Sequence, residues 1–411
     1  MYNFKLICKM AWLNVWRRKA RSVLVILMIG VSMSVMLSIQ GLYYGMTEHL
    51  IESTIRSDSG EISIYAPSYR LQQSLKYHIK ESGNLVSSLQ KNQEISAVSE
   101  RIKVMGLAST ARKSSMAKLI GIDAMQEERF GQFQNFIVEG ELEWGEKERF
   151  AVIGKKLAKT LDLKVGSRVV FSSQNLEGDL SSISLRIKGA IQTTNPAIDD
   201  VAIFVALSKS EAFTGLGKEN RSQLALRIDK EVDLRVFKEK LQKEFPSLDI
   251  YTWLELYPAL EQMQVMMKVF NGISFGIVML VVLIGIMGVM LVSILERLRE
   301  FGILLAVGES YKRLRLQVVI EALILGFSGY ILGALLGMAA LFYLKQYGLD
   351  LSEFSEGLED WGMTSTIYAA MEVEYFTTTF TAIISAALLS VILPLRRLKK
   401  LKPIEVIQGD L

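Results

Sequence analysis

The chain has 411 residues, half of them hydrophobic, with 47 Lys and Arg against 43 Asp and Glu and a formal net charge of +4. So small a net charge argues against a global basic surface for nucleic acid. A single cysteine, Cys8, excludes an internal disulfide, and two histidines argue against a histidine-based metal site. This composition is typical of apolar membrane spans that flank a polar domain.

Four apolar stretches are long enough to cross a membrane. Each has about 20 residues or more, which covers ~30 Å of hydrocarbon at 1.5 Å per residue. Glu321 is the one charge well inside any of them. Four such runs argue against buried helices of a soluble protein. The predicted spans are 22–45, 268–295, 318–344 and 376–395.

The flanking charges predict the orientation of these spans. Lys and Arg residues precede the first span, fill the loop 296–315 and follow the fourth span, whereas the loop 345–375 is acidic. Because Lys and Arg in short loops favour the cytoplasm, we expect the amphipathic helix 1–21, the loop 296–315 and the tail 396–411 to be cytoplasmic. No cleavable signal peptide is predicted before the first span.

The region 46–265 is then a large extracytoplasmic domain, and its patterns predict an α+β fold. Strand candidates lie at 61–65, 98–109, 149–153, 168–173, 184–193, 201–205 and 223–228, and helix candidates at 83–93, 155–161, 209–215 and 231–245. The flanking pieces Met46–Arg56 and Trp253–Lys268 keep apolar residues at helical spacing. We interpret them as helical stalks that continue the spans, the alternative being helices that lie on the bilayer.

No motif for catalysis is present. The sequence has no GxxxxGK[ST], GxSxG, HExxH or paired CxxC, and the fragment Gly215–Asn220 (GLGKEN) lacks the hydroxyl residue and the spacing of a phosphate loop. We therefore expect a non-catalytic subunit without a cofactor of its own. Any energy must come from a partner.

The loop after the second span is expected to form a short helix with a charged and an apolar face. Such a helix suits a groove of a cytoplasmic protein, the alternative being a loop at the lipid surface. Its charged face is Glu296, Arg297, Arg299 and Glu300, its apolar face is Phe301, Ile303, Leu304 and Val307, and Gly302 and Gly308 permit close packing and a turn.

Two features of the third span have alternatives. Gly329, Gly333 and Gly337 form a small-residue face that suits packing within this chain's bundle or a dimer interface. Glu321 is expected to reach the interface or to pair with a nearby arginine.

The stretch Met290–Gly337 resembles the signature of the FtsX-like/MacB-type permeases of ABC transporters, an S-x-x-E-R-x-R-E-F-G-x-L-x-A-x-G pattern followed by a span rich in E-A-L. The matching positions are Ser293, Glu296, Arg297, Arg299, Glu300, Gly302, Ala306, Gly308, Glu321, Ala322 and Leu323. The segments Ala11–Ser22, Val152–Val169 and Leu393–Gln408 also resemble parts of this family.

This resemblance implies that the loop helix is the coupling helix, which sits on an ABC ATPase dimer that binds ATP and Mg²⁺. It also implies a second permease subunit, identical or not, in the inner membrane, and work on extracytoplasmic cargo by mechanotransmission. The size of the external domain, the absence of a fused ATPase and the segment Gly60–Tyr69 favour the lipoprotein-releasing (Lol-type) members. A MacB-like efflux permease and an FtsX-like regulator of external partners are the alternatives.

One segment departs from the Lol pattern. The subunit that hands lipoproteins to a periplasmic chaperone has a proline-bearing hook between two strands, but Gln174–Ile183 has no proline and predicts an ordinary polar hairpin. The cargo could therefore be a lipoprotein handled by a non-hook subunit, or another amphiphile.

Overall fold

The computed structural model describes residues 4–141, 149–193, 195–229, 231–354 and 366–399. The chain divides into two compact units, which we name the helical unit (Met1–Met46, Gln264–Leu351 and Thr366–Leu411) and the sheet domain (Thr47–Met263 with Ser352–Ser365). Residues 355–365 of the predicted loop 345–375 and residues 400–411 of the predicted tail lie outside the described residues.

The helices and strands alternate along the sheet domain and give way to long helices on either side of it. The helices of the described residues are α1 (Phe4–Arg17), α2 (Lys19–Thr54), α3 (Tyr69–Gln72), α4 (Ser82–Leu89), α5 (Ala124–Gly131), α6 (Lys155–Leu161), α7 (Pro196–Asp199), α8 (Leu207–Thr214), α9 (Leu234–Glu244), α10 (Trp253–Leu256), α11 (Pro258–Glu296), α12 (Leu298–Ala306), α13 (Tyr311–Tyr347), α14 (Val373–Ser390) and α15 (Ile392–Lys399). The strands are β1 (Ile62–Tyr65), β2 (Ile95–Ser109), β3 (Ser114–Ile122), β4 (Ile137–Gly140), β5 (Phe150–Gly154), β6 (Arg168–Gln174), β7 (Leu180–Ile191), β8 (Ala202–Ala206), β9 (Gln223–Ile228), β10 (Asp249–Thr252), β11 (Leu349–Asp350) and β12 (Thr366–Ile367).

Four helices of the described residues are long and apolar enough to cross a membrane, which confirms the four predicted spans. They are Lys19–Ser59, Pro258–Glu296, Tyr311–Tyr347 and Val373–Arg396. In hydrocarbon a helix satisfies every backbone N–H and C=O within the segment itself. The predicted architecture, four spans with a large domain of helices and strands between the first two, is therefore correct.

The two helices next to the sheet domain are longer than the predicted spans. Helix α2 continues to Thr54 and then tightens into the π-helical turn Ile55–Ser59. Helix α11 begins only at Pro258, so the prediction that one helix runs from Trp253 to Lys268 is wrong for its first residues. Proline has no N–H to donate and disfavours helical backbone at the residue before it, and Tyr257 has φ −123° and ψ 67°.

The glycines of α13 pack inside the helical unit. A Cβ atom at Gly329, Gly333 or Gly337 would lie 2.7, 2.8 or 2.6 Å from side-chain atoms of Ile29, Met33 and Leu37. Carbon atoms in contact are normally 3.5–4.0 Å apart, so only glycine allows α13 to lie this close to α2. This small-residue face contacts the chain's own first span.

One large sheet organises the sheet domain. Its strand order is β10-β1-β9-β2-β3-β8-β5-β7-β4, and β6 pairs with β2 and β7. The pairs β3–β8 and β5–β7 are parallel, and the other pairs are antiparallel. Strands β6 and β7 form the predicted polar hairpin over Gln174–Ile183, with Gln174 opposite Leu180 and Gly178 at φ +93° in the turn.

Strand β2 is the central strand of this sheet, with 15 residues and three strand partners. Its buried side chains contribute to two hydrophobic clusters, one with Phe171 and Leu119, the other with Ile64 and Phe237. Burial of such side chains stabilises the fold by about 1.5–3 kcal/mol each.

Candidate coupling site

Helix α12 is a short, separately terminated helix between α11 and α13. Helix α11 ends at Glu296, and Arg297 leaves the helical conformation with φ −108° and ψ 12° before α12 begins at Leu298. Gly308 follows α12 with φ +95°, a conformation that glycine adopts without strain. Because the backbone breaks at both of its ends, the axis of α12 can differ in direction from the axes of α11 and α13.

The predicted apolar face of α12 is divided between the interior and the surface. The side chain of Phe301 has no exposed area, and Gly302 is buried with it. Ile303 is 49% exposed and Val307 is 83% exposed. The predicted apolar residues therefore have different surroundings, because Phe301 packs into the helical unit and leaves Ile303 and Val307 as a small apolar surface.

Two carboxylates, Glu296 at the end of α11 and Glu300 in the first turn of α12, bind arginines near the N-terminus of the chain. Arg21 donates to Glu296 through Nη1 and Nη2 at 2.8 and 2.9 Å, and Arg18 donates to the same carboxylate. Arg17 Nη1 donates to Glu300 at 2.9 Å, and this hydrogen bond lowers the pKa of Glu300. These bonds join the end of α11 and the start of α12 to the adjoining ends of α1 and α2.

A third carboxylate, Glu321, is buried where α1, α12 and α13 meet. It is 3% exposed and accepts hydrogen bonds from Asn14 Nδ2 at 2.7 Å, Arg297 Nη1 at 3.0 Å and Gln317 Nε2 at 3.2 Å. The prediction that Glu321 pairs with a nearby arginine is confirmed. Breaking a buried ion pair typically costs about 3–5 kcal/mol, so this bond fixes the backbone break at Arg297 firmly.

Together these groups form what we call the anchor network. Its members are Asn14, Arg17, Arg18, Arg21, Glu296, Arg297, Glu300, Gln317 and Glu321. All of them except Gln317 line a polar cavity of about 160 Å³. All three of its carboxylates are paired with arginine, and the described residues hold no group of three His, Cys, Asp or Glu side chains suited to a metal ion. This arrangement can transmit position between helices, whereas it offers no free acid or base.

The structure places the predicted site residues in three different settings. Glu296, Arg297 and Glu300 lie in the anchor network, and Gly302 is buried. Arg299, Ala306 and Gly308 are exposed, and among the described residues no ion pair involves Arg299. A partner that approaches α12 therefore meets Arg299, Ile303 and Val307, together with the exposed Glu300, which is paired with arginine.

Sequence reasoning missed the partners of the carboxylates. Asn14, Arg17, Arg18 and Arg21 lie in a segment that stood out only as an amphipathic helix. The usable signal was its spacing, since Asn14, Arg17, Arg18 and Arg21 recur three or four residues apart, on one side of a helix.

Two families match this chain. The MacB-like periplasmic core domain matches residues 22–244, more than half of the chain, and the FtsX-like permease C-terminal region matches residues 272–403. The second match includes all of α12 and α13.

Individual relatives are more distant. The lipoprotein-releasing system transmembrane protein LolE of Haemophilus influenzae is 20% identical over 282 residues, which is 67% of this chain and 66% of LolE. The macrolide export ATP-binding/permease protein MacB of Campylobacter jejuni subsp. jejuni is 24% identical over 370 residues, which is 83% of this chain and 54% of that MacB. The chain thus matches less than two thirds of the length of either relative. The crystal structure of the periplasmic region of MacB from Actinobacillus actinomycetemcomitans is similar at 15% identity, with a TM-score of 0.34 over 49% of this chain and 92% of that one.

Proposed function

Because this chain belongs to the family of ABC-transporter permeases with a MacB-like periplasmic core domain and an FtsX-like C-terminal region, we propose that it is the non-catalytic permease subunit of an ABC transporter in the inner membrane. A separate ATPase dimer binds ATP and Mg²⁺, and a second permease subunit, identical or different, completes the complex. The sheet domain works on the periplasmic side, and both termini and α12 lie in the cytoplasm.

The observation that supports the ATPase contact is that the start of α12 is held by ion pairs, whereas apolar side chains farther along α12 are exposed. Glu300 of α12 is bonded to Arg17 of α1, and Glu296 at the end of α11 is bonded to Arg21 of α2. Arg297, between α11 and α12, is bonded to the buried Glu321. The exposed Ile303 and Val307 are thereby held on a fixed helix. A short helix with exposed apolar side chains suits a groove on a partner, and the anchor network would pass a push on α12 to α1, α2 and α13.

For the cargo, we propose lipoproteins or a similar amphiphile, extracted from the membrane by mechanotransmission. The support is the similarity to LolE, whose name describes lipoprotein release, over 67% of this chain. No described charge other than Glu321 is buried deep within a span, so nothing here suggests a path for ions. A MacB-like export function is the second candidate, because that similarity extends over 83% of this chain.

Depletion of the chain, followed by membrane fractionation, tests the proposed cargo. We expect lipoproteins to accumulate in the inner membrane, and re-expression of the wild-type chain should clear them. A strain re-expressing Val307→Asp should retain the accumulation, because that change introduces a charge into the proposed ATPase contact. Normal lipoprotein sorting after depletion would contradict extraction, and raised sensitivity to exported compounds would then favour the MacB-like function.

A further inference from the structure

A largely buried cluster of four charged side chains and a tyrosine lies in the sheet domain, at the points where the chain enters from the first span and leaves toward the second. We call it the junction; its members are Asp58, Arg101, Lys103, Glu127 and Tyr257. Asp58 is in the π-helical turn that ends the helix of the first span, and Tyr257 immediately precedes α11. Arg101 and Lys103 are in β2, and Glu127 is in α5.

Asp58 bonds to three other members of the junction, Lys103, Tyr257 and Arg101. Lys103 Nζ donates to its Oδ1 and the hydroxyl of Tyr257 donates to its Oδ2. Arg101 Nη1 donates to the backbone carbonyl of Asp58 and lies 3.7 Å from its carboxylate. One side chain therefore links the end of the first connection, the start of the second and the central strand of the sheet.

Arg101 also bonds strand β2 to helix α5. Arg101 is 1% exposed and donates to both oxygens of Glu127, at 2.5 Å from Nε and 2.7 Å from Nη2, and its guanidinium lies 4.9 Å from the centre of the Phe130 ring. Burial lowers the pKa of Lys103 to about 8, although the Asp58 carboxylate acts to raise it. The charges of Asp58 and Glu127 balance those of Arg101 and Lys103.

Stability alone does not explain such a cluster. Well-packed apolar residues commonly replace buried ion pairs with no loss of stability, whereas ionic and hydrogen bonds impose a specific geometry. A π-helical turn is rare and frequently lies at a functional site. Both observations fall on the same five-residue turn, Ile55–Ser59.

We propose that Asp58 and Tyr257 are positioning residues that couple the two span connections to β2, so that movement of the spans reaches the sheet. This inference rests on the proposed function, since it assigns the route by which nucleotide-driven motion enters the sheet domain. The Asp58–Tyr257 bond makes the two connections move together, and Lys103 and Arg101 pass their displacement to the strand from which the rest of the sheet is built.

Tyr257→Phe removes only the hydroxyl that joins the two connections. The matched control is Tyr69→Phe, because Tyr69 is also a largely buried tyrosine whose hydroxyl donates to β2, at 2.8 Å from the carbonyl of Lys103. Tyr69 belongs to α3, which leads to no span. Both variants thus lose one tyrosine hydroxyl, but only Tyr257→Phe removes a bond between the two span connections.

The experiment uses the full chain, purified with its ATPase in nanodiscs. Hydrogen exchange of peptides that cover β2 is compared with and without a non-hydrolysable ATP analogue, and the ATPase rate is recorded. In the wild type we expect nucleotide to change exchange in β2. In Tyr257→Phe that change should fall by about fivefold or more, and in Tyr69→Phe it should stay within about twofold, with ATPase rates retained in both.

Each outcome decides between the claims. An unchanged nucleotide response in Tyr257→Phe, or an equal loss in both variants, overturns the coupling role and leaves the proposed function standing. No response in the wild type contradicts the proposed function, and with it this inference. If Tyr257→Phe does not fold, Asp58→Asn serves in its place, since it weakens the tie to Lys103 while preserving the shape of the side chain.

Discussion

Arg297 binds two carboxylates in very different surroundings. Its Nη1 donates to Glu321, whose side chain is 5% exposed, and its Nε donates to Glu300, whose side chain is 47% exposed. Water screens the second pair, and exposed pairs contribute between about 0 and 1 kcal/mol. The first pair has no such screening, so the same arginine should contribute unequally to the two bonds.

This inequality can be measured with Glu321→Gln and its matched control Glu300→Gln. We expect Glu321→Gln to lower the free energy of unfolding by up to about 3–5 kcal/mol, because it leaves the partly buried guanidinium of Arg297 without its main counter-charge. Glu300→Gln should lower it by less than about 1 kcal/mol. Titration with a denaturing detergent gives both values, and equal losses would show that Glu321 is not buried as described.

At the scale of helices, the glycines of α13 and α11 have opposite surroundings. Gly333 of α13 lies against Met33 and the backbone of Gly30, whereas a Cβ at Gly272 or Gly276 of α11 would meet nothing within 4 Å. Similar spacing in the sequence therefore hides two different roles within this chain.

Gly333→Ala and Gly276→Ala separate those roles. We expect Gly333→Ala to destabilise the helical unit by about 1–3 kcal/mol, because the added methyl group forces α13 away from α2. Gly276→Ala should be neutral or should stabilise α11 by up to about 1 kcal/mol, since alanine favours a helix. Thermal unfolding in detergent compares the two, and an equal loss would argue against the α2–α13 contact.

Periodicity predicted much of the fold because long apolar helices and alternating strands have strong local patterns. All seven strand candidates have counterparts, but β3 (Ser114–Ile122) and the short strands β4, β10, β11 and β12 were missed. The first residues of β3 are serines and its outer half is largely exposed, so alternation is weak there, and the pairing of β3 with β2 and β8 is decided by the sheet. The break at Tyr257 was also missed, although Pro258 was a visible signal.

The candidate site was predicted only in part. Sequence separation explains the difference, because the start of α12 and its turn glycine are local features, whereas the bonds from Arg17 to Glu300 and from Arg21 to Glu296 join residues 283 and 275 positions apart. No single-sequence pattern specifies such pairs. The inward packing of Phe301 likewise depends on which neighbours surround α12.

For the assembled transporter, Val307→Asp tests the proposed ATPase contact. We expect the amount of ATPase that co-purifies with the chain to fall by about tenfold, because a charge would replace an apolar contact at the centre of an interface. Leu71→Asp is the control, since Leu71 is 89% exposed in the sheet domain. Retention of the ATPase by Val307→Asp would place the contact elsewhere.

The proposed orientation can be tested through Cys8, the one cysteine of the chain. A membrane-impermeant thiol reagent applied to intact cells should leave Cys8 unlabelled, and lysis should expose it. In a Cys8→Ala background, Leu71→Cys should label in intact cells, because the sheet domain is then periplasmic. Labelling of Cys8 without lysis would reverse the assigned sides.

The two halves of helix α11 differ in how far their side chains are buried. Its buried residues, among those described, are Val282, Ile286, Met290 and Ile294, all in its second half. The 24 residues from Pro258 to Val281 contain none. In mechanical terms α11 is a lever held between Val282 and Ile294, so a tilt imposed on that half becomes a larger displacement at Pro258, which lies roughly 36 Å along the helix from Val282 at 1.5 Å per residue.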